Sequence, residues 1–327
     1  MTTAHAIRIH ELGGPEVLRW EEIDVPAPGP GQAQLRQTAV GLNFIDIYHC
    51  SGLYPLPLPA ILGSEAAGVV EAIGPGVTEV AVGDRVAYCS GVAPGAYAER
   101  RNLPAAALVV LPPAISEPQA AAMMLKGLTV HYLLRRTHRA QAGETVLLHA
   151  AAGGVGLLFC QWARALGVTV IGTVGTEAKA ELAREHGCAH VLIHGKDDIV
   201  QRVRELTSGR GVPVVYDSVG KDTFATSLDA LAPLGLLVSF GQSSGVVPPL
   251  ELRVLAEKGS LFVTRPTLRT YTAQRDDLIN AAEALFEVVG SGKVKTKIGA
   301  TFALRDAAEA QRALASRKTT GSVVLLP

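Results

Sequence analysis

The sequence predicts an α/β chain in which a doubly wound parallel sheet is joined to a second, mainly β part. Three observations predict it. Residues 145–264 repeat a strand, turn, helix pattern; a glycine-rich turn, His149-Ala-Ala-Ala-Gly-Gly-Val-Gly156, lies between the first strand and first helix of that pattern; and residues 1 to about 120 read as short alternating strands punctuated by Gly and Pro. A length of 327 residues suggests about two domains, and a hydrophobic content of 48% can fill a sizeable core.

The first part breaks at Pro26-Ala-Pro-Gly-Pro-Gly31 and Gly74-Pro-Gly76, which marks it as mainly β and barrel-like. Thr145–Leu148 is a short apolar run of the buried-strand kind. Leu157–Leu166 carries apolar residues at helical spacing until Gly167 stops it. The pattern continues through Val168–Thr173, Glu177–Glu185, Val191–Ile193, Asp198–Thr207, Val212–Val215, Thr223–Leu231 and Leu236–Phe240. Such alternation implies a parallel sheet with helices on both faces. Asp276–Val289 and Ala307–Ser316 read as helices, and Gly321–Leu326 as a closing strand. A tail of roughly sixty residues cannot easily build its own core, so it is expected to return to the first part.

The turn at residues 149–156 has the chemistry of a dinucleotide site. Glycines allow a tight bend and a close approach, so a pyrophosphate can sit on the free N–H groups at a helix start. Gly153, Gly154 and Gly156 are placed for this, with Val155 between them. Ala151 stands where the G-x-G-x-x-G pattern has its first glycine, so a purely structural glycine turn remains the alternative on spacing alone.

Lys plus Arg and Asp plus Glu both number 30, so no net basic field attracts nucleic acid or anionic membrane. The N-terminus lacks a basic segment followed by a long apolar stretch, and no later uncharged run is long enough to span a bilayer. A cytoplasmic location is expected. Cys50, Cys89, Cys160 and Cys188 show no C-x-x-C spacing, which argues against a disulfide scaffold and a closed zinc site. His186-Gly-Cys188-Ala-His190 has ligand-type residues but falls in a helix-to-strand turn, where they need not converge.

With this order of parts, the signature Gly143-Glu144, Leu147, Ala151-Ala152-Gly153-Gly154, Gly156, Gln161 and Arg164 resembles the medium-chain dehydrogenase/reductase superfamily, and within it the zeta-crystallin-like quinone oxidoreductases. Further similar segments are Gly13–Leu18, Asn43–Asp46, Ser51–Pro55, Leu125–Thr129, Val215–Gly220 and Val263–Pro266. The resemblance covers the whole chain. It implies a GroES-like, barrel-type catalytic domain at 1–123 and 266–327, and a Rossmann NADPH-binding domain at 124–265. In zinc-dependent relatives, His stands where this chain has Ser64 and a Cys falls near Asn43. The cysteine-rich lobe of their structural zinc is also missing, so no metal is expected.

The end of the second Rossmann strand, Thr173-Val-Gly175-Thr176, lacks the carboxylate that usually selects NAD. Lys179 follows in the first helical turn, where it can meet a 2′-phosphate, so NADPH is favoured; Glu177 complicates the argument, although a helix start explains it. The resemblance adds cofactor contacts at Asn43, Phe44, Asp46, Thr129, His194, Ser218, Phe240, Gln242, Ser243, Val263, Thr264, Arg265 and Arg317. Bacterial members carry Tyr where His194 aligns and Asn where Gln242 aligns.

Quinone reduction asks the protein for positioning, water exclusion and electrostatics, not for a strong acid. Asn43, Tyr48, Tyr54 and Thr129 are the candidate wall, with Tyr54 expected to touch substrate and loop packing as its alternative reading. His49 and His131 read as structural. Two other functions compete: reduction of activated double bonds such as enones, and a crystallin-type or AU-rich-RNA-binding role. Leu261–Thr264, a hydrophobic strand at the expected sheet edge, suggests a homodimer.

Overall fold

A computed structural model describes residues 2–89, 93–316 and 319–327. The chain divides into two compact units, one of Met1–Leu128, Tyr271–Gly290 and Thr296–Pro327, the other of Thr129–Thr270 and Ser291–Lys295. No helix among the described residues is long and apolar enough to cross a membrane.

The first unit opens with strands β1 (Thr2–Ile9), β2 (Arg19–Val25) and β3 (Gln32–Leu42). Helix α1 (Phe44–Cys50), β4 (Ala60–Ile61), β5 (Glu65–Ile73), β6 (Arg85–Tyr88), β7 (Arg100–Pro104) and β8 (Val109–Val110) follow, before α2 (Glu117–Tyr132). α1 interrupts the run of strands expected in this mainly β region, and α2 begins at its end. α1 has only seven residues, too few to display a helical period, and it starts where Asp46 closes back on the Asn43 N–H at 2.9 Å.

The second unit carries β9 (Thr145–Leu148), α3 (Gly154–Ala165), β10 (Thr169–Val174), α4 (Glu177–Glu185), β11 (His190–Ile193) and α5 (Ile199–Leu206). β12 (Val212–Asp217), α6 (Phe224–Ala230), β13 (Leu231–Ser239), α7 (Leu252–Glu257), β14 (Phe262–Thr264) and α8 (Leu268–Tyr271) complete the series. Among the described residues its sheet runs β11-β10-β9-β12-β13-β14, and every pairing is parallel. This is the 3-2-1-4-5-6 order of a doubly wound Rossmann sheet, with its switch point between β9 and β12. β13 begins five residues before the expected Leu236, but its register jumps from Val212↔Leu231 to Val214↔Leu236. Residues 232–235 form that irregularity, where Leu234 is 68% exposed with φ 63°. Leu147, Ile171, Val215 and Leu237 form the sheet's apolar centre, closed by Ile199, Val203 and Leu228 from the helices. α3 is buried on nearly all sides, and its Phe159 ring lies 4.8 Å from Tyr216. Such a pair adds about 1 kcal/mol beyond its burial.

The chain returns to the first unit with α9 (Arg275–Gly290), β15 (Ile298–Ala303), α10 (Ala307–Ala315) and β16 (Ser322–Leu326). β16 pairs antiparallel with β3, placing Val323 opposite Leu42, and extends the sheet β15-β16-β3-β5-β6-β8, to which β7 adds alongside β3. Ser291–Lys295 instead belongs to the second unit, where Gln161 clamps it. Its amide donates to the Lys295 carbonyl at 3.1 Å and accepts the Lys295 N–H at 2.9 Å.

Candidate active site

In the second unit, Gly153 is the extended residue before α3, so the helix presents the first-turn N–H groups of Gly154, Val155 and Gly156 without intrahelical partners. A Cβ on Gly156 would stand 2.4 Å from the Ala150 carbonyl and 2.5 Å from that of Ala151, so only glycine permits this bend. Ala150 holds the left-handed conformation, φ 57°, at a cost of about 1 kcal/mol. Ala151 takes the place of a glycine because β10 makes room for it. Gly172 lies beneath, and a Cβ there would come 2.6 Å from that of Ala151. The turn therefore keeps the close backbone packing and free N–H groups that a pyrophosphate requires.

Beyond β10, Gly175 faces open space, with nothing within 4 Å of a Cβ placed on it. Thr176 caps α4, its hydroxyl accepting the Lys179 N–H at 3.3 Å. The complicating carboxylate, Glu177, is bound to the Lys196 ammonium at 2.7 Å, which offsets its charge beside Lys179. Thr173 faces inward: its hydroxyl lies 2.9 Å from both His149 Nδ1 and His194 Nε2. These residues fit a phosphate-bearing dinucleotide better than one selected by a carboxylate.

Ser218, Phe240, Gln242 and Ser243 lie half-buried in the loops after β12 and β13. The Ser243 N–H donates to the Ser218 carbonyl at 3.2 Å, and a Cβ on Gly220 would stand 3.0 Å from Gln242 Cα. Arg265, just after β14, donates to the carbonyls of Ser239 at 2.8 Å and Gly241 at 3.2 Å, so it braces the loop that carries Gln242. On the edge strand itself Val263 is exposed and Thr264 half-buried. Arg317 lies outside the described residues. Thr129, on α2, is buried.

The first unit gathers the other candidates into one buried polar cluster. The Asn43 amide donates to Glu65 at 2.8 Å, the Lys126 ammonium approaches the same oxygen at 3.0 Å, and the Leu125 N–H donates to the second oxygen at 2.7 Å. Glu65 is fully buried, and Gly41 makes its position possible, since a Cβ there would come 2.3 Å from the carboxylate. With its nitrogen committed to an acceptor-only group, Asn43 retains Oδ1 as its acceptor. Ser64 donates to Asp46 at 2.7 Å. Asn43 and Ser64 thus offer an amide and a hydroxyl, both already engaged, and the cation beside Glu65 is an ammonium. This donor set does not fit a catalytic zinc.

Asp46 completes this cluster. Its side chain is fully buried and accepts from Ser64, the Asn43 N–H and the Tyr97 hydroxyl, so it shapes the loop holding Asn43 and the half-buried Phe44. Burial raises its pKa to about 6 despite those donors. Tyr54 is half-buried, its ring edge-on to Tyr48 at 5.3 Å and to His49 at 5.9 Å, while Phe44 lies 6.3 Å from Tyr48. These rings form an aromatic cluster that can offer a ring face or edge to a planar substrate. Burial lowers the pKa of His49, and it lowers that of His131 to about 4, with Arg135 and Arg136 adding to the effect.

Cys188 packs inward at Gly172, and His186 Nδ1 lies 2.8 Å from the Leu182 carbonyl. No group of three metal-capable side chains occurs among the described residues. Sequence reasoning missed Glu65 and Lys126, whose signal was a charge set in an otherwise apolar or small-residue run. It also missed His149, Asp217 and Ser227 at the switch point.

Residues 29–113 match the alcohol dehydrogenase GroES-like domain, and residues 154–293 match the zinc-binding dehydrogenase family. A quinone oxidoreductase of Pseudomonas aeruginosa is 54% identical, over 99% of this chain and 100% of its own length. A 2-haloacrylate reductase of a Burkholderia species is 47% identical over 98% of each. The crystal structure of Escherichia coli quinone oxidoreductase complexed with NADPH superposes with a TM-score of 0.97, at 48% identity and full coverage of both chains. The chain belongs to the quinone oxidoreductases of the medium-chain dehydrogenase/reductase superfamily.

Proposed function

We infer that this protein reduces quinones with NADPH and without zinc. The observation that carries the reading is the engaged cluster of Asn43, Ser64, Glu65 and Lys126, which replaces a Lewis-acid site with hydrogen-bonded organic groups. A quinone suits such a site, because its oxygens take up charge without a metal and can draw protons from solvent. NADPH, when bound, supplies hydride equivalents at the nicotinamide. The chain's own part is to hold and orient: Gly153 to Gly156 take the pyrophosphate, and Gly175, Thr176 and Lys179 take the adenosine ribose and its 2′-phosphate. Ser218, Phe240, Gln242, Ser243, Val263, Thr264, Arg265 and Arg317, with Asn43, Phe44 and Thr129, complete the cofactor contacts, and Tyr54 contacts substrate. The division of labour proposed is a catalytic domain at 1–123 and 266–327 and a nucleotide domain at 124–265.

The 47% identical 2-haloacrylate reductase supports a second reading, hydride delivery to an activated double bond. NADPH consumption over a panel of quinones and enones decides between them; a higher kcat/KM for enones overturns the first. The zero net charge argues against an RNA-binding role. We place the enzyme in the cytoplasm, consistent with four buried free thiols. We also propose a homodimer through Leu261–Thr264, because β14 is an edge strand with Phe262 59% and Val263 37% exposed. Val263→Pro should give monomer or insoluble protein by light scattering, and an intact dimer refutes this interface.

A further inference from the structure

A chain of buried polar groups crosses the carboxyl end of the second unit's sheet. Asp217, at the end of β12, accepts N–H groups from Val219 at 2.8 Å and Gly220 at 3.0 Å, the Thr223 hydroxyl at 2.8 Å and the Ser227 hydroxyl at 2.8 Å. Ser227 Oγ lies 3.0 Å from His149 Nε2, Thr173 Oγ1 lies 2.9 Å from His149 Nδ1, and His194 Nε2 lies 2.9 Å from the same Thr173 oxygen. Asp217, Ser227, His149 and Thr173 are all buried, whereas His194 is exposed.

The hydrogens in this chain have one consistent arrangement. A carboxylate surrounded by donors has no proton to offer, so the 2.8 Å contact requires Ser227 to donate to Asp217. Having spent its only proton, Ser227 accepts from His149 Nε2–H. Burial keeps His149 neutral, with its pKa lowered to about 4, so Nδ1 is a lone pair and Thr173 donates to it. Thr173 must then accept from His194 Nε2–H. Every donor points toward Asp217, and the neutral His194 ring is left with its Nδ1 lone pair directed away from Thr173.

We propose that Asp217, Ser227, His149 and Thr173 fix the tautomer of His194, making its Nδ1 a proton-dependent contact for the cofactor's 2′-phosphate. His194 directly follows β11, and its N–H bonds to the Val174 carbonyl at the end of β10, beside open Gly175 and two residues before α4, which carries Lys179 in its first turn. Neutral Nδ1 sets a lone pair against the phosphate; protonated Nδ1 donates to it. The proton lands on the outer nitrogen, so the buried chain need not rearrange. Burial lowers the pKa of His194, while the charges of Asp217 and Asp222 oppose that shift. The His149 ring stacks on it at 5.9 Å, and within three residues along the chain lie Lys196, paired with Glu177, and Asp197, which accepts the Ile193 N–H at 2.6 Å. Lower pH therefore strengthens selection of the phosphorylated nucleotide.

This inference rests on the NADPH reading, and binding of 2′,5′-ADP against 5′-AMP, followed by calorimetry from pH 8 to pH 6, tests the two separately. In the natural chain the preference for 2′,5′-ADP should rise about tenfold more than in His194→Gln, the size of one charge-assisted hydrogen bond. The ligand's own titration is common to both proteins. Thr173→Val should lessen this rise and admit the Nδ1–H tautomer, visible in histidine 15N shifts; Thr173→Ser should restore the natural behaviour. Equal slopes in the natural chain and His194→Gln, or a natural His194 already protonated on Nδ1 when neutral, overturn the proposal. If 2′,5′-ADP binds no better than 5′-AMP at every pH, the NADPH reading itself fails.

Discussion

Mild acid should destabilise the second unit relative to the first. In the second unit, His149 titrates at about 4 when folded and 6.5 when unfolded. Between those values the unfolded state binds more protons, so stability is lost as pH falls through 6.5 toward 4. The full difference amounts to about 3 kcal/mol, of which about 2 is lost by pH 5. His131 and His194, both lowered by burial, act in the same direction. In the first unit, Asp46 titrates at about 6 when folded and 3.8 when unfolded, so the folded state binds the extra proton. Its contribution therefore rises as pH falls, by about 1 kcal/mol at pH 5. His49, lowered by burial in the same unit, opposes it, and Glu71 and Glu117, held below 4.5 by arginines, add little in this window. Hydrogen exchange read by mass spectrometry at pH 7.5 and 5, corrected for intrinsic rates, should show protection falling in β9 and β12 relative to β5. His149→Asn should remove much of that fall. Equal changes in both units, or an acid slope unaltered in His149→Asn, would refute the reasoning.

Three substitutions test other parts of the site. Lys126→Met strands a buried carboxylate and should cost about 3–5 kcal/mol by thermal unfolding, with much of it regained in Lys126→Met/Glu65→Gln; no recovery in the pair would show that charge is not the cause. Gly156→Ala brings a Cβ 2.4 Å from the Ala150 carbonyl and should weaken NADPH binding roughly tenfold or more; unchanged affinity excludes this turn as the pyrophosphate seat. Lys179→Ala should raise the NADPH KM about tenfold and leave the NADH KM unchanged, whereas equal effects on both would remove its phosphate role.

The sheet was readable because its strands and the helices α3 to α6 between them carry local patterns, as Glu177–Glu185 shows, and because Leu236 begins the regular pairing with Val214; the short α7 and α8 carry none that was read. Residues of the family signature proved less transparent. Gln161 clamps Lys295 and Arg164 packs under Gly187, so they support the turn's surroundings by packing and hydrogen bonding. The buried polar groups were harder to foresee. His149 reaches Thr173 across 24 positions and Ser227 across 78, and Asn43 reaches Glu65 across 22. Only chain topology brings such residues together, and no local periodicity encodes them. Asp46 shows the same limit: nothing in the sequence of its segment reveals the three donors placed around its side chain.

The contact between Ala151 and Gly172 has a consequence for how this turn can vary. Neighbouring strands here share room for a single methyl group, which this chain has assigned to the turn. Ala151→Gly would release that room only in part, because a Cβ on Gly172 would still meet the Cys188 sulfur at 2.5 Å; with Ala151 retained it would meet the Ala151 methyl at 2.6 Å as well. The allowance belongs to positions 151, 172 and 188 jointly, so a glycine pattern scored along one stretch of chain sees only part of it.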